Sequence, residues 1–344
     1  MSKVNINLFN KAYISVVLAF ILAIAAYDVS YSKSEAPKET TANQQVNTKE
    51  SVDSTSSSTD DESKRAEARR AELARSTTTP VATNATSEEE ADQMATFSAD
   101  YADDIQTYTV QDIAATVASQ LGIDESAALD QLITDLPQNV DLTASQYQVV
   151  NKLNPLVAEP TFQPAYTANG LLYDGAIQDA YWGLLDGASA AGYTLATISA
   201  HRTIAYQEQN VQRGYNTYLG QGYSEAEASE LTNAYYAPAQ ASEHSTGLAF
   251  DWLGTEWTSI GGSLDEPYAD QPSAQWLADN AQDYGFILRY PKGKELVTGY
   301  NFEPWHYRYV GVEAAQYIYQ YDLTLEEFYA LVEYQLALTE EGLA

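Results

Sequence analysis

Ser242-Glu243-His244-Ser245-Thr246-Gly247-Leu248-Ala249-Phe250-Asp251 is the stretch on which the reading of this 344-residue chain turns. Leu248, Phe250 and Trp252 alternate with Ala249 and Asp251, the period of a strand, so Leu248–Leu253 is expected to bury one face and aim Asp251 out of the apolar core. On an uninterrupted strand the odd spacing of His244 and Asp251 would put them on opposite faces. Gly247 permits a turn after His244, so a loop histidine and a strand aspartate can converge. Farther on, Glu303-Pro304-Trp305-His306 brings one more imidazole and one more carboxylate. Two imidazoles and a carboxylate are a common donor set for zinc, with a fourth position left open for water. The spare Glu303 suits proton transfer beside such an ion.

Each of these pairings has a plainer reading. His244 and Asp251 alone could be a surface histidine and an unrelated aspartate. Glu303 and His306, with Pro304 between them and Trp305, Tyr307 and Tyr309 favouring extended backbone, could be a buried ion pair in an aromatic cluster. Arg202 follows a strand ending at Ser199, where it suits a substrate carboxylate through a bidentate pair or a structural salt bridge. His201 reads as a packing or hydrogen-bonding residue.

Composition narrows the field. With 48 acidic against 17 basic residues the net charge is −31, which excludes a nucleic-acid partner, because phosphate neutralisation needs clustered Lys and Arg. There is no cysteine and there are three histidines, so any metal must be held by His, Asp and Glu. Lys3 and Lys11 precede an apolar run from Ala12 to Tyr27, short for a spanning helix and long for the apolar part of a signal peptide. Residues 1–27 are therefore expected to be a cleaved export signal or an N-terminal membrane anchor, which places the rest outside the cytoplasmic membrane. Residues 28–95 are rich in Ser, Thr, Glu and Ala and poor in large apolar side chains, the composition of a disordered linker. Lys64–Arg75 is expected to be a fluctuating helix within it.

Residues 96–145 carry apolar positions at helical spacing (Val110, Ile113, Ala114, Val117, then Ala128, Leu129, Leu132, Ile133), with Gly122 ending one short helix and Asp124 near the start of the next. They read as a small helical brace. From residue 146 to 344 the pattern becomes α+β. Helices are expected over Gly175–Ala191, Ser224–Tyr236, Gln275–Tyr284 and Leu325–Leu338. Strands are expected over Tyr193–Ser199, Leu248–Leu253 and Gly285–Tyr290, and in the region Tyr300–Val310. Ser224 with Glu227, and Thr324 with Glu327, form capping patterns.

Three motifs in series then resemble one known family. Ser199-x-x-Arg202-x-x-x-x-Gln207, Ser242-x-His244-x-x-Gly247-x-Ala249-x-Asp251 and Glu303-Pro304-Trp305-His306-Tyr307-Arg308 are similar to those of the VanY-type D-alanyl-D-alanine carboxypeptidases, the M15 zinc peptidases, which include L,D-carboxypeptidases. Gly285-Phe286-Ile287-Leu288-Arg289-Tyr290-Pro291 also resembles a segment of that group, and the match runs from about Asn151 to Val310. His201 and Ala239-Gln240 depart from it, standing where an aromatic residue and Pro-Gly are common. The resemblance implies an α+β fold with a small, mostly antiparallel sheet flanked by helices and a zinc site at the sheet face. It implies one Zn2+ held by His244, Asp251 and His306, and Glu303 as general base and acid. Arg202 would bind the substrate carboxylate, with Gln207, Ser242 and Ser199 lining the pocket. The expected activity is removal of the C-terminal D-alanine from a peptidoglycan stem peptide by a monomer. A dipeptidase or endopeptidase of the same fold and a non-catalytic wall-binding module are the alternatives.

Overall fold

The computed structural model describes residues 56–77 and 87–344. The apolar run at 12–27 and the expected linker up to residue 55 lie outside the described residues. In chain order the longer elements are helices α1 (Ser56–Ser76), α2 (Glu88–Ala99), α3 (Val110–Leu121) and α4 (Glu125–Asp135), then strands β1 (Pro164–Tyr166) and β2 (Leu172–Asp174) and helix α5 (Gln178–Ala190). Strand β3 (Leu195–Ser199) precedes helices α6 (Ile204–Gly220) and α7 (Glu225–Tyr235). Strand β4 (Ala249–Gly254), helix α8 (Pro272–Asn280) and strands β5 (Phe286–Leu288) and β6 (His306–Tyr309) follow, and helices α9 (Val312–Gln320) and α10 (Leu325–Glu340) close the chain.

The sheet that matters for the site has the order β3-β4-β6-β5 and is antiparallel throughout. Its register is informative. Phe250 pairs with Tyr307 and Asp251 with His306, so consecutive rungs of one ladder point to opposite faces. On one face Phe250 stacks on Trp252 with ring centroids 5.1 Å apart, and Tyr181 and Leu184 of α5 and Leu277 of α8 pack over them. Some polar atoms on this face are paired: the Trp252 indole N–H donates to the Thr197 hydroxyl at 3.1 Å, which also meets the Tyr181 hydroxyl at 2.9 Å, whereas the Tyr307 hydroxyl is buried without a partner. Asp251 and His306 take the other face. A register shift between Thr197 and Ser199 in β3 brings Ser199 opposite Asp251, so three strands deliver Ser199, Asp251 and His306 as one row.

A second apolar core is purely helical. Val110, Ile113 and Val117 of α3, Leu132 of α4, Ile318 of α9 and Phe328 and Leu331 of α10 share it. The caps read from the sequence are in place. Gly122 ends α3 at φ 70°, and the Asp124 side chain accepts from the Ala127 N–H at the start of α4. Ser224 with Glu227 and Thr324 with Glu327 form capping boxes. Each such cap contributes about 1 kcal/mol. The helices at 110–135, read as a small helical brace, share their core with the closing helix.

The helix expected at Lys64–Arg75 lies within α1, and its last turns dock rather than fluctuate. A helix with no apolar stripe can dock through one turn. Leu73 and Ala74 of α1 are buried in the helical core, and Arg69 forks onto Glu341 at 2.8 and 2.5 Å. Helices α6 and α9 carry no expectation from the sequence pattern. Strands β5 and β6 are shorter than the extended runs expected around them, because each stops where its ladder partner ends.

Candidate metal centre and cleft

Gly247 places the first donor. Glu243–Thr246 form a single tight turn that ends in Gly247 at φ 73°, a left-handed conformation that suits glycine. A Cβ there would stand 2.9 Å from both the Asp174 amide nitrogen and the Phe162 ring. The turn directs His244 toward the β4–β6 rung, as expected from the sequence. His244, Asp251 and His306 are all buried, with one potential ligand atom from each lying within 4.8 Å of the others.

The hydrogen bonds fix which atoms these are. His244 Nδ1 lies 2.7 Å from the Ala200 carbonyl oxygen, which can only accept, so Nδ1 carries the hydrogen and Nε2 a lone pair. That Nε2 is buried without a hydrogen-bond partner and stands 3.4 Å from Asp251 Oδ2. A buried nitrogen left unpaired costs about 1–3 kcal/mol, a penalty that a cation at this point would offset. The donor set fits a zinc-type ion. His306 lies between two carboxylates, with Nδ1 2.9 Å from Asp251 Oδ1 and Nε2 2.8 Å from Glu243 Oε1. Tyr290 stacks on its ring at 4.8 Å.

Electrostatics separates the two imidazoles. Burial, aided by the Arg202 charge, lowers His244 to about 4. Burial also opposes charge on His306, but its hydrogen bonds to Asp251 and Glu243 outweigh that and raise it to about 9. Asp251 is held well below the ordinary carboxylate range: desolvation opposes this, and the two histidines override it. Glu303 behaves oppositely. Its carboxylate is 3.8 Å from His306 Nδ1, and burial pushes it up to about 8, so this carboxyl can hold a proton near neutral pH.

These residues open onto a cleft of about 900 Å³ that also collects Ser199, Arg202, Gln207, Ser242 and His201. Arg202 Nη1 donates to Ser199 Oγ at 3.2 Å and approaches Asp251 Oδ2 at 3.8 Å. Its Nε is buried without a partner. Gln207 donates to the Ala237 carbonyl oxygen at 2.7 Å, while its own Oε1 has no partner. Ser242 is buried in the wall. His201 is half-buried against the Phe162 ring at 5.1 Å, as a packing residue would be. All eight residues singled out from the sequence therefore meet in one place. Tyrosines 206, 218, 235 and 236 line the outer cleft.

Sequence reasoning gave no role to Glu243, Arg289 or Arg308, which lie directly behind the donors and are fully buried. A signal for them exists. Arg308 is two residues after His306 on a strand, hence on the same face, and a guanidinium there requires a buried acid.

Comparison with known proteins points to one family. Residues 172–312 match the model of the VanY D-alanyl-D-alanine carboxypeptidase family. A D-alanyl-D-alanine carboxypeptidase of Enterococcus faecalis is 35% identical over 180 residues, 52% of this chain and 64% of that protein. The crystal structure of a mutant of vancomycin resistance D,D-pentapeptidase VanY from the VanB-type resistance cassette, in complex with Zn(II), is 34% identical. It is covered over 99% of its length and 54% of this chain, with a TM-score of 0.49. The LdcB LD-carboxypeptidase is 32% identical over 53% of this chain and 84% of its own, with a TM-score of 0.42. The chain spans about half to two thirds of the length of the first curated relatives. On the family match and the identity to the curated relatives, the chain belongs to the VanY-type D-alanyl-D-alanine carboxypeptidases of the M15 family.

Proposed function

We propose that the chain is a zinc-dependent carboxypeptidase that removes the C-terminal D-alanine from peptidoglycan stem peptides. One observation carries this reading. In a single cleft, a buried three-donor cluster with a partnerless imidazole nitrogen stands beside a carboxyl able to hold a proton and a guanidinium with a free buried N–H. His244 Nε2, an Asp251 carboxylate oxygen and His306 Nδ1 are the atoms that would hold the ion. Zinc supplies Lewis acidity at such a site, activating water and polarising the scissile carbonyl. Glu303 accepts a proton from the attacking water and delivers it to the departing amine, its burial having matched it to that exchange near neutral pH. Arg202 pairs with the substrate's terminal carboxylate, using the N–H that the protein leaves unsatisfied. Because that carboxylate exists only at a chain end, Arg202 separates an exopeptidase from an endopeptidase. The cleft lies at the large end of ordinary binding sites, with room for residues upstream of the one removed. The site is complete within one chain, which fits a monomer, and the substrate fits an enzyme working outside the cytoplasmic membrane, anchored or secreted.

The test is D-alanine release from pentapeptide and tetrapeptide stems, with free and amidated C-termini, before and after chelation. Release from a free-carboxylate stem is expected, lost with chelator and restored by zinc. Arg202→Ala should cost about 2–5 kcal/mol in kcat/KM, the scale for removing one member of a desolvated charge pair. Equal cleavage of amidated stems would point instead to an endopeptidase. Zinc binding without any cleavage would point to a wall-binding module.

A further inference from the structure

Behind the donors lies a charged network that the mechanism above does not use. Glu243 divides its two oxygens. Oε1 meets His306 Nε2 at 2.8 Å, and Oε2 accepts from Arg289 Nε at 2.8 Å and Arg308 Nη1 at 3.1 Å. Neither arginine is free to turn away. Arg289 forks onto Glu326 of α10 at 2.8 and 2.6 Å, and Glu326 in turn accepts from Asn151 at 2.9 Å. Arg308 Nη2 donates to the carbonyl oxygens of Ser145, Gln146 and Gln148 at 3.0, 3.3 and 3.0 Å. Two carboxylates balance two guanidiniums at full burial, so Glu243 has strong reason to stay ionised, and an ionised carboxylate only accepts. The nitrogen it faces must therefore carry a hydrogen.

Resting on the metal reading above, we infer that Glu243 is the positioning residue for His306: by accepting Nε2–H it makes Nδ1 the ligating atom and fixes the ring's direction. The closing helix α10 and the segment at 145–151 hold Glu243 in that role through Arg289 and Arg308. The two histidines are thereby set in opposite tautomers by different devices. A backbone carbonyl turns His244 Nε2 inward, and a buried carboxylate turns His306 Nδ1 inward.

The test uses the full chain. Zinc affinity of wild type and Glu243→Gln is measured by competition with a chromophoric chelator, and 1H–15N correlation spectra of the three histidines report their tautomers in the zinc-loaded wild type. Glu243→Gln is expected to bind zinc about 10–100-fold more weakly, the usual effect of removing a partner behind a metal ligand. Glu326→Gln, which loosens Arg289 without touching His306, should lose less. The wild-type spectrum should show one histidine with Nε2–H and a metal-bound Nδ1, and one with the reverse pattern. Two histidines bound through the same ring atom would overturn the inference even if Glu243→Gln fails to fold. So would a folded Glu243→Gln with zinc affinity within twofold of wild type. A wild type that binds no zinc sinks the metal reading itself, which separates the two failures.

Discussion

The two faces of the β4–β6 ladder are one residue apart and obey different rules. Phe250 and Tyr307 form one rung, Asp251 and His306 the next. The first faces a stacked aromatic core where stabilisation grows with buried area and is non-directional. The second faces donors and acceptors whose value depends on every partner being present, since a buried polar group without one is costly. One face tolerates a change of shape better than a change of volume. On the other, an isosteric change that alters one proton is enough to matter.

The comparison can be broken most sharply at Glu303. Glu303→Gln keeps volume and burial but cannot take a proton, so D-alanine release should fall about 10²–10⁴-fold while zinc content and melting temperature hold. Unchanged release would remove Glu303 from the chemistry. On the apolar face the equivalent blow needs volume: Trp252→Ala should cost about 3–5 kcal/mol in denaturant unfolding.

Next in size is a pH effect confined to the polar face. His306 is raised from 6.5 to about 9 in the folded chain, so the protonated folded form is favoured. That stability is fully present below pH 6.5 and is lost as pH rises through 9. For the chelated protein this amounts to something on the order of 3 kcal/mol. Glu303, raised from 4.5 to about 8, acts in the same direction. His244, lowered to about 4, acts oppositely, contributing stability above pH 6.5 that is lost as pH falls through 4. Melting of the chelated protein from pH 4 to 10 should therefore peak between these windows, and zinc affinity should climb toward pH 9 as the His306 proton becomes easier to displace. The smallest effect sharpens the other face: Phe250→Leu, which removes less volume than Trp252→Ala, should cost less than that change and leave zinc affinity alone.

How much was legible in the sequence follows the same division. The alternation of Leu248, Phe250 and Trp252 gave the face of Asp251, and Gly247 gave the turn that brings His244 to it. Local residues decide both. The pairing of β4 with β6 is a contact across about 55 residues, and no local pattern sets the register that puts His306 beside Asp251. The network around Glu243 was only partly legible, through Arg308, which shares a strand face with His306. Its members come from residues 145–151, 243, 289, 308 and 326, and Glu243, Arg289 and Glu326 each alone read as ordinary surface charges. The docking of α1 escaped because two adjacent apolar side chains, Leu73 and Ala74, leave no periodic signal.

The helical core has a consequence for the order in which the molecule can form. It is assembled mainly from residues 110–136 and 310–338, joined by Leu73, Ala74, Val149 and Ile287, and every strand of the sheet lies between these halves in sequence. By the time His306 has been synthesised, every donor of the cleft exists, yet the core beneath α3 and α4 is still missing its other half. Contacts of such sequence separation are slow to form, because loop closure must precede any gain from packing. A chain cut short before Leu325 would thus carry the complete set of cleft side chains and expose the apolar faces of α3 and α4. Glu326, on the first turn of α10, ties that helix to Asn151 and, through Arg289, to Glu243 behind the donors.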